Sequence, residues 1–169
     1  MKRIGLLSDT HSCWDDKYLL HFADCDEIWH AGDIGSGVII NQLEAHCQVR
    51  AVCGNIDGQE IRLRFGKVLK FRVEECNVIM THIGGYPGRY DSSVRRMIYD
   101  ERPQLFISGH SHILKVIYDN IYDMLHINPG AAGCYGFHNV RTAIRFTIDG
   151  EDIRDMEIGN WDRDKRTAW

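Results

Sequence analysis

Apolar runs alternate with amphipathic segments in the first third of the chain. Apolar residues run together at Arg3–Ser8, Glu27–His30 and Gln48–Cys53, which predicts three buried strands. Apolar residues recur three or four positions apart in Asp15–Phe22 and Val38–His46, which predicts a helix in each gap. Strands that alternate with helices at this spacing are typical of a parallel sheet with crossover helices.

Beyond residue 60 the pattern changes to short strands separated by turn residues. A helix is predicted at Ser92–Arg102, with Pro103 just past its end. A strand-rich half after an α/β half predicts two sheets packed face to face with helices outside. The strands predicted in this half are Arg62–Phe65, Val68–Val73, Asn77–Thr81, Leu105–Ser108, Leu114–Tyr118, Asp123–Ile127, Thr142–Ile148 and Asp152–Ile158.

Chain length sets the expected domain organisation. The 169 residues are too few for two independent cores of ordinary size, so we assign residues 1–158 to a single domain. Residues 159–169 are charged and without periodicity, which predicts a C-terminal tail. The tail either frays or docks Trp161 and Trp169 on a neighbour, which leaves room for a homo-oligomer.

Composition and charge exclude several classes of protein. With 44% hydrophobic and 26% charged residues, the chain has the balance of a globular protein. The net charge of −4 argues against an extended nucleic-acid surface. No apolar run approaches the ~20 residues of a membrane span, and the start turns polar too soon for a signal peptide. We therefore expect a cytoplasmic protein. The six cysteines form no C-x-x-C pair, and those that lie in apolar runs, such as Cys53, are expected to be buried thiols.

Side chains that can bind a metal follow five of the predicted strands. In sheets of this type ligands bind at the carboxyl ends of the strands, because the loops there converge. Taken singly, each residue is more often a turn or cap residue, but the ordered set favours a metal site. The set is Asp9 and His11, Asp33, Asn55, His82, and His110 and His112.

The number and type of donors indicate two metals. Two carboxylates, one amide and four imidazoles exceed the three or four ligands of a single tetrahedral zinc. One carboxylate has to lie between the cations, because two dications ~3.5–4 Å apart repel unless an anion screens them. In extended backbone, residues two apart point the same way, which would explain the doublets Asp9-x-His11 and His110-x-His112. Glycines before the ligands let the backbone approach the site.

This ordered set resembles the calcineurin-like metallophosphoesterase superfamily. The matching motifs are Asp9-x-His11, Gly32-Asp33, Gly54-Asn55, the strand-end His82 and Gly109-His110-x-His112. The segments Leu7–Ser12, Asn55-x-Asp57 and Ile127–Gly130 are most similar to small bacterial and archaeal phosphodiesterases of the YfcE type. The resemblance implies a four-layer αββα sandwich of two mixed β-sheets flanked by helices.

The resemblance also implies two divalent cations, with Mn²⁺ expected first and Ni²⁺, Fe²⁺ or Zn²⁺ as alternatives. All-nitrogen-and-oxygen ligation is compatible with each of them. In the family's arrangement Asp33 bridges the two cations. One metal would take Asp9, His11 and His112, and the other would take Asn55, His82 and His110.

The implied activity is hydrolysis of phosphate esters by a metal-bridging hydroxide that attacks phosphorus. Asp33 and Asn55 then count among the catalytic residues, and the substrate is expected to be a small-molecule or nucleotide-like phosphodiester. The preference for diesters over monoesters comes only from the resemblance. Alternatives are a phosphomonoesterase and a non-catalytic metal-binding or protein-binding scaffold, as this fold provides in the retromer complex.

Three further residues depart from the family pattern or lie beside it. Many relatives have histidine after the Gly-Asn pair, where this chain has Ile56; Asp57 is then either a general acid or a turn-stabilising carboxylate. In the Gly-rich rim loop 84–90, Arg89 is the candidate for binding a substrate phosphate, together with Asn55. The alternative is a solvent-exposed arginine. His30 either orients Asp33 or is a buried structural histidine.

Two tyrosines of the same rim loop, Tyr86 and Tyr90, are candidates for stacking on a base or aryl group. The alternative is a pair of packed tyrosines. His138 has no metal-motif partner and is expected to be an ordinary histidine.

Overall fold

The computed structural model describes residues 1–163, which form twelve strands and four helices. The strands are β1 (Lys2–Leu7), β2 (Glu27–His30), β3 (Gln48–Ala51), β4 (Val68–Val73), β5 (Cys76–Thr81), β6 (Gly85–Tyr86), β7 (Arg89–Tyr90), β8 (Leu105–Ile107), β9 (Leu114–Asp119), β10 (Met124–Pro129), β11 (Val140–Asp149) and β12 (Asp152–Asp162). The helices are α1 (Lys17–His21), α2 (Gly37–Glu44), α3 (Gln59–Arg64) and α4 (Ser92–Glu101).

Ten of the strands build two mixed sheets of five strands each. The first sheet has the order β12-β11-β1-β2-β3, with β1, β2 and β3 parallel to one another. The second has the order β4-β5-β8-β10-β9, with β5, β8 and β10 parallel. In each sheet the remaining strands run antiparallel to their neighbours. Each sheet therefore presents the carboxyl ends of three adjacent parallel strands along one edge.

Three apolar clusters show how the layers stack. Leu6 and Trp29 of the first sheet meet Met80 and Ile107 of the second in a cluster between the sheets. A second cluster packs α1, α2 and α3 on the outside of the first sheet, and a third packs α4 on the outside of the second. This is the layer order helix, sheet, sheet, helix, and the predicted fold class is confirmed.

One predicted strand is wrong. Arg62–Phe65 was expected to be extended, but residues 59–64 form helix α3. Only Ile61 of this helix is buried, so the apolar pattern is too short to distinguish a helical period from an alternating one. The rim loop 84–90 also differs from the prediction, because Gly85–Tyr86 and Arg89–Tyr90 pair as a two-stranded hairpin.

The predicted tail begins too early. Strand β12 continues to Asp162, and Gly159 lies opposite Ala143 in the sheet, so the expected boundary after residue 158 falls inside a strand. Trp161 packs on Tyr18 of the same chain, with ring centroids 6.0 Å apart. Trp169 lies outside the described residues.

Two of the six cysteines are paired. Cys13 and Cys134 form a disulfide, with Cα atoms 6.1 Å apart, and Cys25, Cys53 and Cys76 are buried free thiols. No helix within residues 1–163 combines the length and apolar character that a membrane crossing requires.

Candidate metal centre

The loops that follow the parallel strands are fastened to one another by backbone hydrogen bonds. The backbone amide of His11 donates to the carbonyl of Asp33 at 3.0 Å, which ties the loop after β1 to the loop after β2. The amide of Gly109 donates to the carbonyl of His82 at 2.9 Å, which ties the loop after β8 to the end of β5. The amide of His110 reaches across to Asp9 Oδ2 at 3.1 Å and joins the two sheets. The polar residues at the strand ends therefore meet at one site.

Six of the seven predicted ligands form two groups in which the donor atoms lie within 4.8 Å of one another. The groups are Asp9, His11 and His112, and Asp33, His82 and His110. Each group offers one carboxylate and two imidazoles, and together they are two candidate His/Asp metal sites.

Asp33 lies between these groups. Its Oδ2 is 3.2 Å from His82 Nε2 in its own group and 3.6 Å from His11 Nε2 in the other. This is the place in which the sequence predicted a carboxylate that screens two neighbouring cations.

Unpaired buried atoms show that these residues fit a cation. Asp9 Oδ1, His11 Nε2 and His82 Nε2 are buried and have no hydrogen-bond partner within the described residues. A buried polar atom left without a partner costs about 1–3 kcal/mol. These three atoms belong to side chains that face one another, and one cation bound in each group would satisfy all of them. The nitrogen and oxygen donors suit Mn²⁺, Fe²⁺, Ni²⁺ or Zn²⁺.

The two carboxylates of the site are held in their ionised form. Burial alone would raise the pKa of Asp9, but the contact with His112 and the 2.6 Å hydrogen bond from Ser8 Oγ outweigh it, and the pKa lies below its ordinary value. Burial likewise opposes ionisation of Asp33, and contact with His82 lowers its pKa below the usual range. Both side chains are therefore charged at neutral pH and able to bind a cation.

A main-chain contact directs the ring of His82. Its Nδ1 lies 2.7 Å from the carbonyl oxygen of Ala31, which can only accept a hydrogen bond. Nδ1 therefore carries a proton, and Nε2 is the nitrogen that faces Asp33 and the site. Burial lowers the pKa of His82, but Asp33 and Asp9 outweigh this, so that the pKa lies above its ordinary value.

The backbone at the site is left-handed, which corrects one argument from the sequence. The φ angles of Asp9, His11, Asp33, His110 and His112 are 54°, 45°, 54°, 69° and 58°. Residues other than glycine adopt this conformation at a cost of about 1–3 kcal/mol, and such strain clusters at functional sites. The expectation that alternation in extended backbone aligns the two doublets is therefore wrong. Tight left-handed turns bring these side chains together.

Two glycines allow the loops to approach the ligands closely. A Cβ on Gly54 would lie 2.0 Å from Asp33 Oδ1, and one on Gly109 would lie 2.2 Å from Ser8 Oγ. Neither position has space for a side chain. The prediction that these glycines serve close approach agrees with this packing.

Asn55 lies at the open side of the second group. It is exposed, and it lines a cavity of about 430 Å³ together with His82 and Lys67. Arg62, which the sequence placed in a strand, holds the loop that carries Asn55. Its Nη2 donates at 3.1 Å to the carbonyls of both Gly54 and Asn55. The sequence did not predict this role of Arg62, because it predicted a strand where residues 59–64 form a helix.

Asp57 has the contacts of a turn-stabilising carboxylate. It is 3% exposed, and its Oδ1 and Oδ2 accept hydrogen bonds from the amides of Gly35 at 2.8 Å and Gly54 at 2.7 Å. Both oxygens are occupied as acceptors. The general-acid alternative is therefore not supported, because an acid would need a proton directed toward the substrate.

His30 has the contacts of a buried structural histidine, and the alternative that it orients Asp33 stays a prediction. Its Nε2 lies 2.9 Å from Thr10 Oγ1, and its Nδ1 accepts from the amide of Gly32 at 3.2 Å. Burial lowers the pKa of His30 to about 4, so the ring is neutral. It joins the loops after β1 and β2, and the buried structural alternative describes it.

Arg89 lies on the hairpin beside the site. It is exposed and lines a cavity of about 210 Å³ together with His110 and Lys115. Tyr90 is buried and donates to Asp119 Oδ2 at 2.5 Å, so it is not free to stack on a substrate. The ring of Tyr86 lies 3.7 Å from Lys115 Nζ. Contact of Arg89 with a phosphate stays a prediction.

The sequence missed His138, which it treated as an ordinary histidine. Its Nδ1 lies 3.3 Å from Nδ1 of His112, one of the predicted ligands. Its position in the loop between β10 and β11, 26 residues beyond His112, carries no motif that would signal this contact.

Comparisons with known proteins agree with this geometry. A sequence profile of the calcineurin-like phosphoesterase superfamily domain matches residues 1–151. A probable metallophosphoesterase of Methanothermobacter thermautotrophicus is 30% identical over 160 residues, which span 92% of this chain and 90% of that protein.

Solved structures show the same fold. Vps29 from Entamoeba histolytica, complexed with Zn²⁺, gives a TM-score of 0.74 at 14% identity over 96% of this chain and 99% of that one. The E. coli phosphoesterase YfcE gives a TM-score of 0.63 at 16% identity over 92% and 98%. Together with the profile match, these findings confirm the resemblance drawn from the ligand motifs: the chain belongs to the calcineurin-like phosphoesterase superfamily.

Proposed function

We propose that this chain is a phosphodiesterase that depends on two divalent cations, with Mn²⁺ the first expectation. The observation that carries the proposal is the convergence of three buried, unpartnered donor atoms, Asp9 Oδ1, His11 Nε2 and His82 Nε2. The two groups of ligands described above would each hold one cation. Asp33 would contact both, and Asn55 would complete the group around His82.

Cations bound there would acidify a water molecule and neutralise charge on a phosphate ester. The protein contributes the arrangement. Asp9 and Asp33 supply negative charge to hold the cations, and the main-chain contact of His82 presents Nε2 to the site. Arg89, on the hairpin that borders His110, would bind a phosphate oxygen of the substrate.

Two cavities that border the ligands support a diester over a monoester as substrate. The cavity of about 430 Å³ borders His82 and Asn55. A second cavity, of about 420 Å³, borders His112 and the exposed ring of Phe137. A phosphate at the site could therefore carry one ester substituent into each cavity, whereas a monoester would use only one of them.

Reconstitution with metal tests the proposal. Protein stripped with a chelator should not hydrolyse bis(p-nitrophenyl) phosphate, and adding Mn²⁺ should restore the activity. Ni²⁺, Fe²⁺ and Zn²⁺ are compared in parallel, and p-nitrophenyl phosphate serves as the monoester. Activity that persists in the stripped protein, or that no divalent ion restores, would contradict the proposal. Faster hydrolysis of the monoester would favour the phosphomonoesterase, and metal binding without any hydrolysis would favour the scaffold.

A matched pair of variants separates the site from the fold. We expect His82→Ala to lower the rate by about 100-fold or more, because it removes a ligand facing Asp33. His46→Ala makes the same chemical change at an exposed residue whose Nε2 lies 3.0 Å from the carbonyl oxygen of Phe22. This control should retain the wild-type rate, and equal losses in the two variants would contradict the assignment of His82.

A further inference from the structure

The loop between β10 and β11 runs directly over the carboxyl end of β1. Its amides at Ala132 and Gly133 donate to the carbonyls of Ser8 and Asp9 at 2.9 and 3.1 Å. Farther along, Arg163 Nη1 donates to the carbonyl of His138 at 3.1 Å. The loop is therefore fastened on both sides of the point where its histidine meets the metal centre.

His138 makes two ring contacts that together fix where its proton lies. Its Nε2 is 2.9 Å from the carbonyl oxygen of Gly133, which can only accept, so Nε2 carries the proton. In the neutral ring Nδ1 is then an acceptor. Nδ1 of His112 lies 3.3 Å away, and the rings are nearly perpendicular at 76°. His112 must therefore donate through its own Nδ1 to complete this contact.

The location of that proton decides whether His112 can bind a metal. Its Nε2 lies 3.2 Å from Asp9 Oδ1, and a carboxylate at this distance favours a proton on Nε2. A proton there would occupy the lone pair that a cation needs. A proton on Nδ1, donated to His138, leaves the lone pair of Nε2 free. Asp9 and His138 thus favour opposite tautomers of His112.

The packing around the two rings shows that this contact is specific. A Cβ on Gly136 would lie 2.4 Å from Nδ1 of His112 and 2.9 Å from Nδ1 of His138. Gly136 has a φ of 131°, which side-chain-bearing residues rarely adopt. The absence of a side chain at this point leaves the two imidazoles in direct contact.

We propose that His138 is a positioning residue that holds His112 in its metal-binding tautomer through the Nδ1–Nδ1 hydrogen bond. It does for His112 what the carbonyl of Ala31 does for His82. Such partners of metal-binding histidines typically change metal affinity about 10–100-fold when they are removed. The inference rests on the proposed function only as far as metal binding, and it does not depend on which ester is the substrate.

Two conservative substitutions separate the two contacts of His138. In His138→Asn the side-chain oxygen takes the place of Nδ1 and can still accept from His112, while the bond to Gly133 is lost. In His138→Gln the amide takes the place of Nε2 and can still donate to Gly133, while the acceptor for His112 is lost. Each variant therefore loses one hydrogen bond, and both should unfold at similar temperatures without metal.

Calorimetric titration of the metal-free proteins with Mn²⁺ gives the readout. We expect His138→Gln to weaken one of the two binding steps about 10–100-fold and to leave the other unchanged. His138→Asn should bind within about threefold of wild type, since it keeps the acceptor. In a His112→Ala background, His138→Gln should have no further effect on Mn²⁺ affinity, because the ring it positions is absent.

Three results would overturn the inference: wild-type affinity in His138→Gln, an equal loss in His138→Asn and His138→Gln, or a loss that persists in the His112→Ala background. If Mn²⁺ binds as expected and no phosphate ester is hydrolysed, the proposed function fails while the positioning role stands. If the wild-type protein binds no divalent cation, both fail together.

Discussion

The substitution Asp57→Asn distinguishes two possible roles of this carboxylate, namely support of a loop and donation of a proton to the leaving group. The wild-type side chain is 3% exposed and accepts from the amides of Gly35 and Gly54, at 2.8 and 2.7 Å. Hydrogen bonds to a charged group each stabilise a protein by about 1.5–3 kcal/mol. Asparagine keeps one acceptor and turns its NH₂ group toward the other amide, so we expect a loss of about 2–3 kcal/mol.

Thermal unfolding and the choice of leaving group provide the assay. For a chain of this size 1 kcal/mol corresponds to about 2–4 °C in Tm, so the loss should lower Tm by about 4–12 °C. Activity should fall by a similar factor for a p-nitrophenyl ester, whose leaving group needs little protonation, and for an alkyl ester, whose leaving group needs a proton. We expect the same loss for both esters because the loop displaced by the substitution carries Asn55 and packs against Asp33, and both residues would serve either substrate.

A general acid would give a different pattern. With Asp57→Asn the alkyl ester would then lose far more activity than the p-nitrophenyl ester, whatever the change in Tm. That result would refute the structural role assigned to Asp57. Glu151→Gln, a comparable change at an exposed carboxylate in the turn between β11 and β12, controls for the loss of one negative charge.

Three other predictions concern the packing of Gly54, the binding of Mn²⁺ and the burial of His126. Gly54→Ala should lower Tm and abolish most Mn²⁺-dependent activity, because its Cβ would lie 2.3 Å from the backbone nitrogen of Asp33; wild-type activity would contradict the packing. Mn²⁺ at about 100 times its Kd should stabilise the stripped protein by about 2.7 kcal/mol, seen as a rise in Tm that His82→Ala reduces. Burial lowers the folded-state pKa of His126 to about 4, so its stabilisation is present above pH 6.5 and is lost as the pH falls toward 4. His126→Leu should therefore make Tm less sensitive to acid between pH 6.5 and 4. If the pH dependence of Tm is the same as in the wild type, His126 is not the group responsible for it.

The sequence predicted the strands of the two sheets because apolar residues either run together or alternate with polar ones in each of them. β2 and β4 have the bounds expected from the pattern, Glu27–His30 and Val68–Val73. Helix α3 was missed because one buried residue, Ile61, sets no period. β12 was ended too early because its exposed face carries charged residues to Asp162, which resemble a solvated tail.

The position of a predicted ligand along the chain can be predicted from the local sequence pattern, but the orientation of its side chain cannot. A strand end is visible in the local pattern, so the residues that would bind metal could be placed at one edge before the structure was known. Their orientation could not be predicted, because it comes from left-handed turns and from contacts between loops far apart along the chain. Arg62 is placed by a short helix, and His138 meets His112 across 26 residues.

These supporting residues also show why family membership alone does not describe the site. The ligand motifs indicate which side chains would surround a cation, and they would be the same whether Asp57 were an acid or a loop support. The distinction lies in the two amides that occupy its oxygens. The proposed role of His138 likewise depends on the carbonyl of Gly133, because this contact makes Nδ1 of His138 the acceptor and would leave Nε2 of His112 free for a metal. The chemistry of this centre is therefore set as much by the hydrogen bonds behind the ligands as by the ligands themselves.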